Sequence, residues 1–494
     1  TGLVVGILLL SEQPETIVEV SPEPVRGGFY TEALVGSLMR LNPVLDFYNP
    51  ADRDVDRLIY SRLITFDERG LPVADLAESW GISRDGTLYN FAIRENAVWH
   101  DGEAVTTADI VYTVELLREG GEIVPEDLQR FWRDVEVVPL SETTLQFKLP
   151  EPFAPFLDYL SFGILPQHLL GGRTIEEIRD LDFNIQPVGS GPYRFDQLIV
   201  ENEQIAGLSL VAFDEYYRSQ PFIEQLIFRY YPDSQAAMQA YRDGRVDAIS
   251  SITTDTLPAA LAAPNLAIYT GRRPEMSLIF FNLKNQEKVF LQDANIRRAL
   301  YLGINRQYIV DRILSGQAIL AHGPIFPGTW AHYDGTPKIE YDPQRARQYL
   351  IDAGYSLPAE GGNVRVNGEG VALELTLLHP DTDVHTALAE AIQRDWQDLG
   401  FGVTLEALPY DILIEQRLGS RDYQAALVDL NLTRSPDPDP YPFWDSIQAT
   451  GGQNYSQWDH KIASEYLEEA RITVDLDERS RLYRNFQVIF ADEL

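Results

Sequence analysis

Cysteine is absent from all 494 residues. That removes disulfides, thiolate metal sites, cysteine nucleophiles and, within these residues, any lipid-modified cysteine. Positive charge is scarce as well: 40 Lys and Arg stand against 75 Asp and Glu, giving a net charge of −35. A surface this acidic disfavours nucleic acid and anionic lipid as partners. No repeat of 20 to 50 residues is visible, which argues against solenoids and propellers. The apolar run that opens the sequence, TGLVVGILLL over residues 1–10, is half of the roughly 20 residues a membrane-spanning helix needs. It reads as the tail of a signal or anchor segment, the plainer alternative being a buried strand. Pro14, Pro22, Pro24 and Gly27-Gly28 follow with linker composition, so residues 1–26 are expected to tether the protein on the outer side of a membrane.

Catalytic signatures are missing too. There is no Gly-x-Ser-x-Gly elbow, and Gly189-Ser-Gly191 runs into Pro192 as a tight turn. His100 lies beside Asp101, but neighbours on a strand point to opposite faces, so a turn-stabilising role is expected. His379, Asp381, Asp383 and His385 offer ligand atoms without any zinc spacing and without a Glu placed as base. The sequence therefore predicts no enzyme, no metal and no cofactor.

What is present is a large globular chain, 45% hydrophobic and 11% aromatic, with strand and helix patterns in alternation. Leu373-Glu-Leu-Thr-Leu377 alternates as a half-buried strand. A helix follows with Leu388, Ile392, Trp396 and Leu399 on one face and Gly400 as its C-cap, and then a strand through Val403, Leu405 and Ala407. A second βαβ unit runs from Leu226–Tyr231 through Asp233, a predicted N-cap, to Val246–Ile249. Between them lie Leu278–Asn282 and a helix pair ending at Gly316. Residues 85–150 read as an α+β insertion: a strand at Tyr89–Arg94, a helix at Thr106–Leu117 and a hairpin turning at Ser141-Glu142. Two α/β sheets with a cleft between them form a binding architecture, because open sheets take ligands at the carboxyl ends of their strands.

The segment from Arg434 to Trp444, RSPDPDPYPFW, holds four prolines that forbid helix and strand and fix a rigid loop carrying charges and aromatics. Phe443 and Trp444 are suited to wall a pocket, with Tyr30 facing them from the other lobe. A stiff surface connector is the alternative.

An ordered set of strings carries a resemblance. It includes Gly27–Gly36 leading to Leu41-Asn-Pro43, Asp75-Leu-Ala-Glu-Ser-Trp80, Val98-Trp-His-Asp-Gly102, and Thr107-Ala-Asp-Ile-Val111. Pro187-Val-Gly-Ser-Gly-Pro-Tyr193, Gly244-Arg-Val-Asp247, Asp342-Pro343 with Ala353-Gly-Tyr355, and Pro436-Asp-Pro-Asp439 continue it. In this order and spacing the chain resembles the bacterial extracellular solute-binding proteins, family 5, which includes oligopeptide, dipeptide and nickel-complex receptors. The resemblance implies an α/β, two-lobed periplasmic-binding-protein type II (cluster C) fold with an extra α+β subdomain in the first lobe. The implied parts are 27–56 with 188–280 for the first lobe, 57–187 for the subdomain and 281–494 for the second lobe, hinged near 281. It implies a monomeric receptor that closes on a peptide or small solute and docks on ABC permease subunits. A ligand-sensing or adhesive module and a hydrolase using the same cleft are the alternatives. Such proteins usually continue with a further strand and a return crossing, so the sequence reads as a fragment with an unpaired sheet edge and an open apolar face.

The candidate ligand-binding residues are Tyr30, Glu32, Asn282, Trp330, Asp429, Arg434, Asp437 and Trp444. In the peptide-binding members an aspartate about three residues before the acidic-Pro pair holds the peptide's α-amino group, and here that position is Arg434. The resemblance thus implies that Asp429 or Asp437 takes the ammonium instead, or that the ligand carries a carboxylate or phosphate.

Overall fold

The computed structural model describes residues 24–432 and 437–493. Its first strand, β1 (Phe29–Val35), buries apolar residues on both faces: Leu34 enters the large first core, and Ala33 packs on the other side against Ala237 and Ala240. Helix α1 (Pro50–Ile59) starts where Asn49 accepts a hydrogen bond from the Ala51 amide and where Pro50 fills a position whose N–H has no partner in any helix.

The subdomain opens with a small hairpin, β2 (Ile64–Phe66) and β3 (Pro72–Ala74). An antiparallel sheet follows, formed by β4 (Ala77–Ile82), β5 (Leu88–Ile93), β6 (Glu136–Pro139) and β7 (Thr144–Lys148) in the order β4-β5-β7-β6. Helix α2 (Thr107–Arg118) starts in a capping box between Thr106 and Asp109. These elements agree with the strand, helix and hairpin read from the sequence. The subdomain shares one continuous core with the first lobe, in which Tyr89, Phe147 and Phe156 pack ring against ring.

His100 fastens the same two parts through backbone groups. Its amide donates to the Gly189 carbonyl at 2.8 Å, its Nδ1 accepts from the Gly189 amide at 3.1 Å, and its Nε2 lies 3.0 Å from the Gly191 carbonyl. An acceptor at Nδ1 requires the proton on Nε2, so the ring is neutral; burial pushes its pKa down to about 4.

The first lobe's sheet has the order β11-β1-β10-β9-β8, built from β8 (Tyr193–Glu201), β9 (Gln204–Ala212), β10 (Gln225–Tyr231) and β11 (Ala248–Ile249) around β1. Helix α3 (Ser234–Arg242), capped by Asp233 as expected, joins β10 to β11. The two strands of this βαβ unit are not neighbours, because β1 lies between them, parallel to both.

The second sheet has the order β12-β15-β13-β14. Its elements are β12 (Glu275–Phe281), helix α4 (Ala294–Gly303), β13 (Glu374–Pro380), helix α5 (Asp383–Leu399), β14 (Gly402–Leu408) and β15 (Ala425–Asn431). Leu388, Ile392, Trp396 and Leu399 of α5 are all buried, and Gly400 ends the helix at φ 97°, a conformation that favours glycine. Helices α6 (Lys461–Ile472) and α7 (Leu476–Glu493) cover the other face. The lobe boundary expected at 280/281 is corrected: β12 is hydrogen-bonded along its whole length to β15, from Glu275↔Asn431 to Phe281↔Ala425. Residues 275–280 thus belong to the second lobe, and the chain crosses between Ile249 and Glu275. Among the described residues no helix is long and apolar enough to cross a membrane; the apolar run 1–10 lies outside them.

Candidate ligand cleft

Both sheets present the carboxyl ends of their parallel strands to the same crossing segment. It leaves the first sheet at the end of β11 and enters the second at Glu275, which pairs with Asn431, the last residue of β15. Since β12 runs antiparallel to β15, its first residues lie at the carboxyl ends of β13 and β15. The two ligand-favouring edges are therefore joined by one crossing segment.

On the second lobe this edge carries a polar cluster. Asp429 accepts from Ser277 Oγ at 2.5 Å, its second oxygen lies 3.0 Å from His385 Nε2, and His385 Nδ1 lies 2.7 Å from the hydroxyl of Thr382, the N-cap of α5. Tyr410 donates to the Asp429 carbonyl at 3.1 Å. Burial opposes the Asp429 charge, but the hydrogen bonds from His385 and Ser277, with Arg273 nearby, hold its carboxyl below the usual carboxylate range. On the first lobe the edge is the loop 36–49, which leaves β1 at its carboxyl end with Tyr48 74% and Met39 59% exposed.

Of the eight residues singled out from sequence, Asp429 alone among those described lies in this strand-end cluster. Tyr30 and Glu32 occupy the amino-terminal half of β1, on the face that holds Leu34. Burial, then Glu32, Asp247 and Tyr269, raises the Tyr30 pKa; burial, then Asp54, raises that of Glu32. Asn282 uses its amide inside the second lobe. It donates to the carbonyls of Arg421 and Tyr423 and accepts from the Lys284 amide and Gln457 Nε2. It also borders a polar crevice of about 460 Å³ with Arg417, Glu406 and Gln424, at the end of the sheet away from the crossing.

Trp330, Asp437 and Trp444 all belong to the α6–α7 layer. Asp437 forms a buried two-pronged ion pair with Arg479, whose guanidinium lies 5.1 Å from the Trp330 ring. Burial works against the Arg479 charge, but Asp437, Tyr483 and Asp439 outweigh it and raise its pKa. Asp437 also receives the subdomain across the cleft: its amide donates to Asp158 at 2.5 Å. Trp444 packs against Phe280 and Phe490. Arg434 lies outside the described residues. His385 and its contact with Asp429 were missed as a binding pair. Their only sequence signal was position, since His385 follows the end of β13 and Asp429 lies near the end of β15.

A cavity of about 1760 Å³ begins at the same crossing, with Arg273, Glu275 and Ser277 in its wall. It follows β12 from Glu275 to Phe281 and is lined from the α5 side by Leu300, Ile392 and Trp396, and from the α6–α7 side by Phe326, Trp444 and Phe490. Among the described residues β12 has no partner strand on this side. No group of three or more His, Cys, Asp or Glu among the described residues is arranged to hold a metal ion.

The model of the bacterial extracellular solute-binding proteins, family 5, middle, matches residues 72–454. The chain is 26% identical over 480 residues to the oligopeptide-binding protein AppA of Bacillus subtilis, covering 95% of this chain and 86% of that protein. It is 25% identical over 473 residues to the nickel-binding periplasmic protein of Escherichia coli, covering 92% and 85%. HbpA2 from Haemophilus parasuis shares the fold with a TM-score of 0.81 at 20% identity, covering 94% of this chain and 92% of that one. A nickel ABC transporter structure from Bacillus halodurans does so with a TM-score of 0.78 at 22% identity, covering 94% and 91%. The first two are by name solute-binding proteins, for oligopeptides and for nickel, and the chain shares the expected fold with the two solved structures. With the family's model matched over most of its length, the chain belongs to the bacterial extracellular solute-binding proteins of family 5.

Proposed function

We propose that this protein captures a peptide or similar small solute between its lobes, on the outer side of the cytoplasmic membrane, and delivers it to an ABC permease. The carrying observation is the crossing segment, which joins the carboxyl ends of the two sheets, the edges that carry the loop 36–49 and the Ser277–Asp429–His385 cluster. A single chain supplies both walls, and the run at residues 1–10 serves as the anchor. Asp437, committed to Arg479, is a poor partner for a ligand ammonium; Asp429, at the strand ends, is the better one. The sequence position of Arg434 adds a site for a carboxylate or phosphate.

Calorimetry with a mixed peptide library and with anionic small solutes tests this. Binding is expected to weaken at least tenfold in Asp429→Asn for ligands bearing an ammonium, and in Arg434→Asp for ligands bearing an anion. Scattering should show a smaller radius of gyration at saturation. Tight binding that ignores both substitutions would remove the two residues from the site; an unchanged radius would remove closure.

A further inference from the structure

Beneath the cleft-facing loop, the first lobe buries three carboxyls. Asp52 is well satisfied: it accepts from the amides of Met39 and Arg40 and from Asn49 Nδ2, which ties the loop to α1. Asp56 is 2% exposed and neither of its oxygens makes a hydrogen bond of normal geometry; the groups within reach of it are the Asn42 amide and the carboxyl of Asp46, which lies within the loop and is 8% exposed.

The charged and titratable groups around them give no counterion. Arg53, Arg57 and Arg62 act on Asp46 from a distance. Arg57 pairs with Asp54 at 3.7 Å and Arg53 reaches the Phe47 carbonyl at 3.5 Å, while burial lowers the Arg62 pKa. Tyr60 spends its hydroxyl on the Leu41 carbonyl, and the buried Tyr230 hydroxyl, within range of Asp52 and Asp56, has no partner. Two ionised carboxylates only accept hydrogen bonds and repel each other. With one proton between them they can form a single O–H···O bond, which gives Asp56 a partner and removes one of the two charges.

We infer that Asp46 and Asp56 share a proton, and that this proton is a pH-operated latch holding the loop 36–49 in its cleft-facing shape. Burial first, and neighbouring acids second, push Asp46 up to about 7 and Asp56 well above the carboxylate range. The stabilisation from a raised carboxyl pKa is complete below about pH 4 and is lost as pH rises through 7. The latch is therefore tightest in mild acid and loosens as pH rises through 7, where Asp46 becomes charged beside Asp56. It depends on the fold alone; only its effect on capture rests on the cleft reading above.

Hydrogen–deuterium exchange of residues 37–49 between pH 5.5 and 8.5, corrected for the intrinsic exchange rate, reads the latch without any ligand. Protection is expected to fall from pH 5.5 to about 7 by about tenfold per pH unit for each proton the closed loop holds, and to fall less steeply above, once Asp46 is charged in the closed loop too. Asp56→Asn supplies a permanent donor to Asp46 and should hold protection flat throughout; Asp46→Asn is the mirror variant. Asp54→Asn, on the exposed side of α1, should keep the wild-type slope. A wild-type profile without a slope would overturn the proposal even if neither inner variant folds. So would an Asp56→Asn profile that matches wild type.

Discussion

Asp437 and Asp56 are both buried carboxyls, 6% and 2% exposed, yet their surroundings have nothing in common. Asp437 meets a guanidinium with two bonds, and that guanidinium is itself held by the Tyr483 hydroxyl, the Ala470 carbonyl and the Trp330 ring. Asp56 meets another acid. Moving a charge out of water is so costly that the interior must neutralise it, either with a fixed counterion or with a proton. The first solution is indifferent to pH in the physiological range, since arginine does not release its proton there. The second is sensitive to it. One fold uses the first where its C-terminal helices must stay put, and the second under the loop at its binding edge.

The largest effect expected on this contrast comes from Arg479→Met, which strands the Asp437 charge inside the second lobe and should lower unfolding stability by about 3–5 kcal/mol in urea. Replacing both partners, Asp437→Leu with Arg479→Met, should restore most of that loss. If the double variant is as weak as the single, the ion pair is not what the layer depends on. Next in size, Asp56→Asn should be more stable than wild type at pH 8 by on the order of 3 kcal/mol, from the raised Asp46 pKa. The advantage should shrink on acidification and vanish near pH 4, because the wild-type proton is then in place. A gap between the two melting curves that does not change with pH would break the contrast. The smallest effect belongs to an exposed pair, Arg130 with Glu126 at 3.2 Å. Arg130→Ala should change stability by less than about 0.5 kcal/mol at any pH from 5 to 8. A loss comparable to that of Arg479→Met would mean that burial is not the deciding variable.

What the sequence revealed follows from the range of each signal. The β13–α5–β14 unit was legible down to Gly400 because period, cap and length are all written within thirty residues. The insertion of β1 between β10 and β11 was not, since it is a pairing between residues about two hundred positions apart. The assignment of residues 275–280 failed for the same reason: an apolar run tells that a strand exists, not which sheet receives it. Asp437 looked like a ligand group because its loop is rigid and acidic, while its partner Arg479 lies 42 positions away in an ordinary helix. His385 and Asp429 are 44 positions apart. The acid pair did leave a local trace. Asp52 and Asp56 are four apart on α1 and share a face with Val55 and Ile59, so one helical stripe carries acids into the core.

The turn at Gly189-Ser-Gly191 lies so close to the end of α1 that a Cβ on Gly189 would sit 1.9 Å from the Ile59 carbonyl oxygen, and one on Gly191 would sit 2.5 Å from that of Leu58. His100 grips the same turn from the subdomain. With backbone locked on backbone at this point and one core beneath it, the first lobe and its subdomain have no freedom to pivot on each other. In the closure proposed above, the three folded parts would then move as two bodies. Every contact the subdomain makes with the second lobe, Asp158 with Asp437 among them, would form or break in step with it.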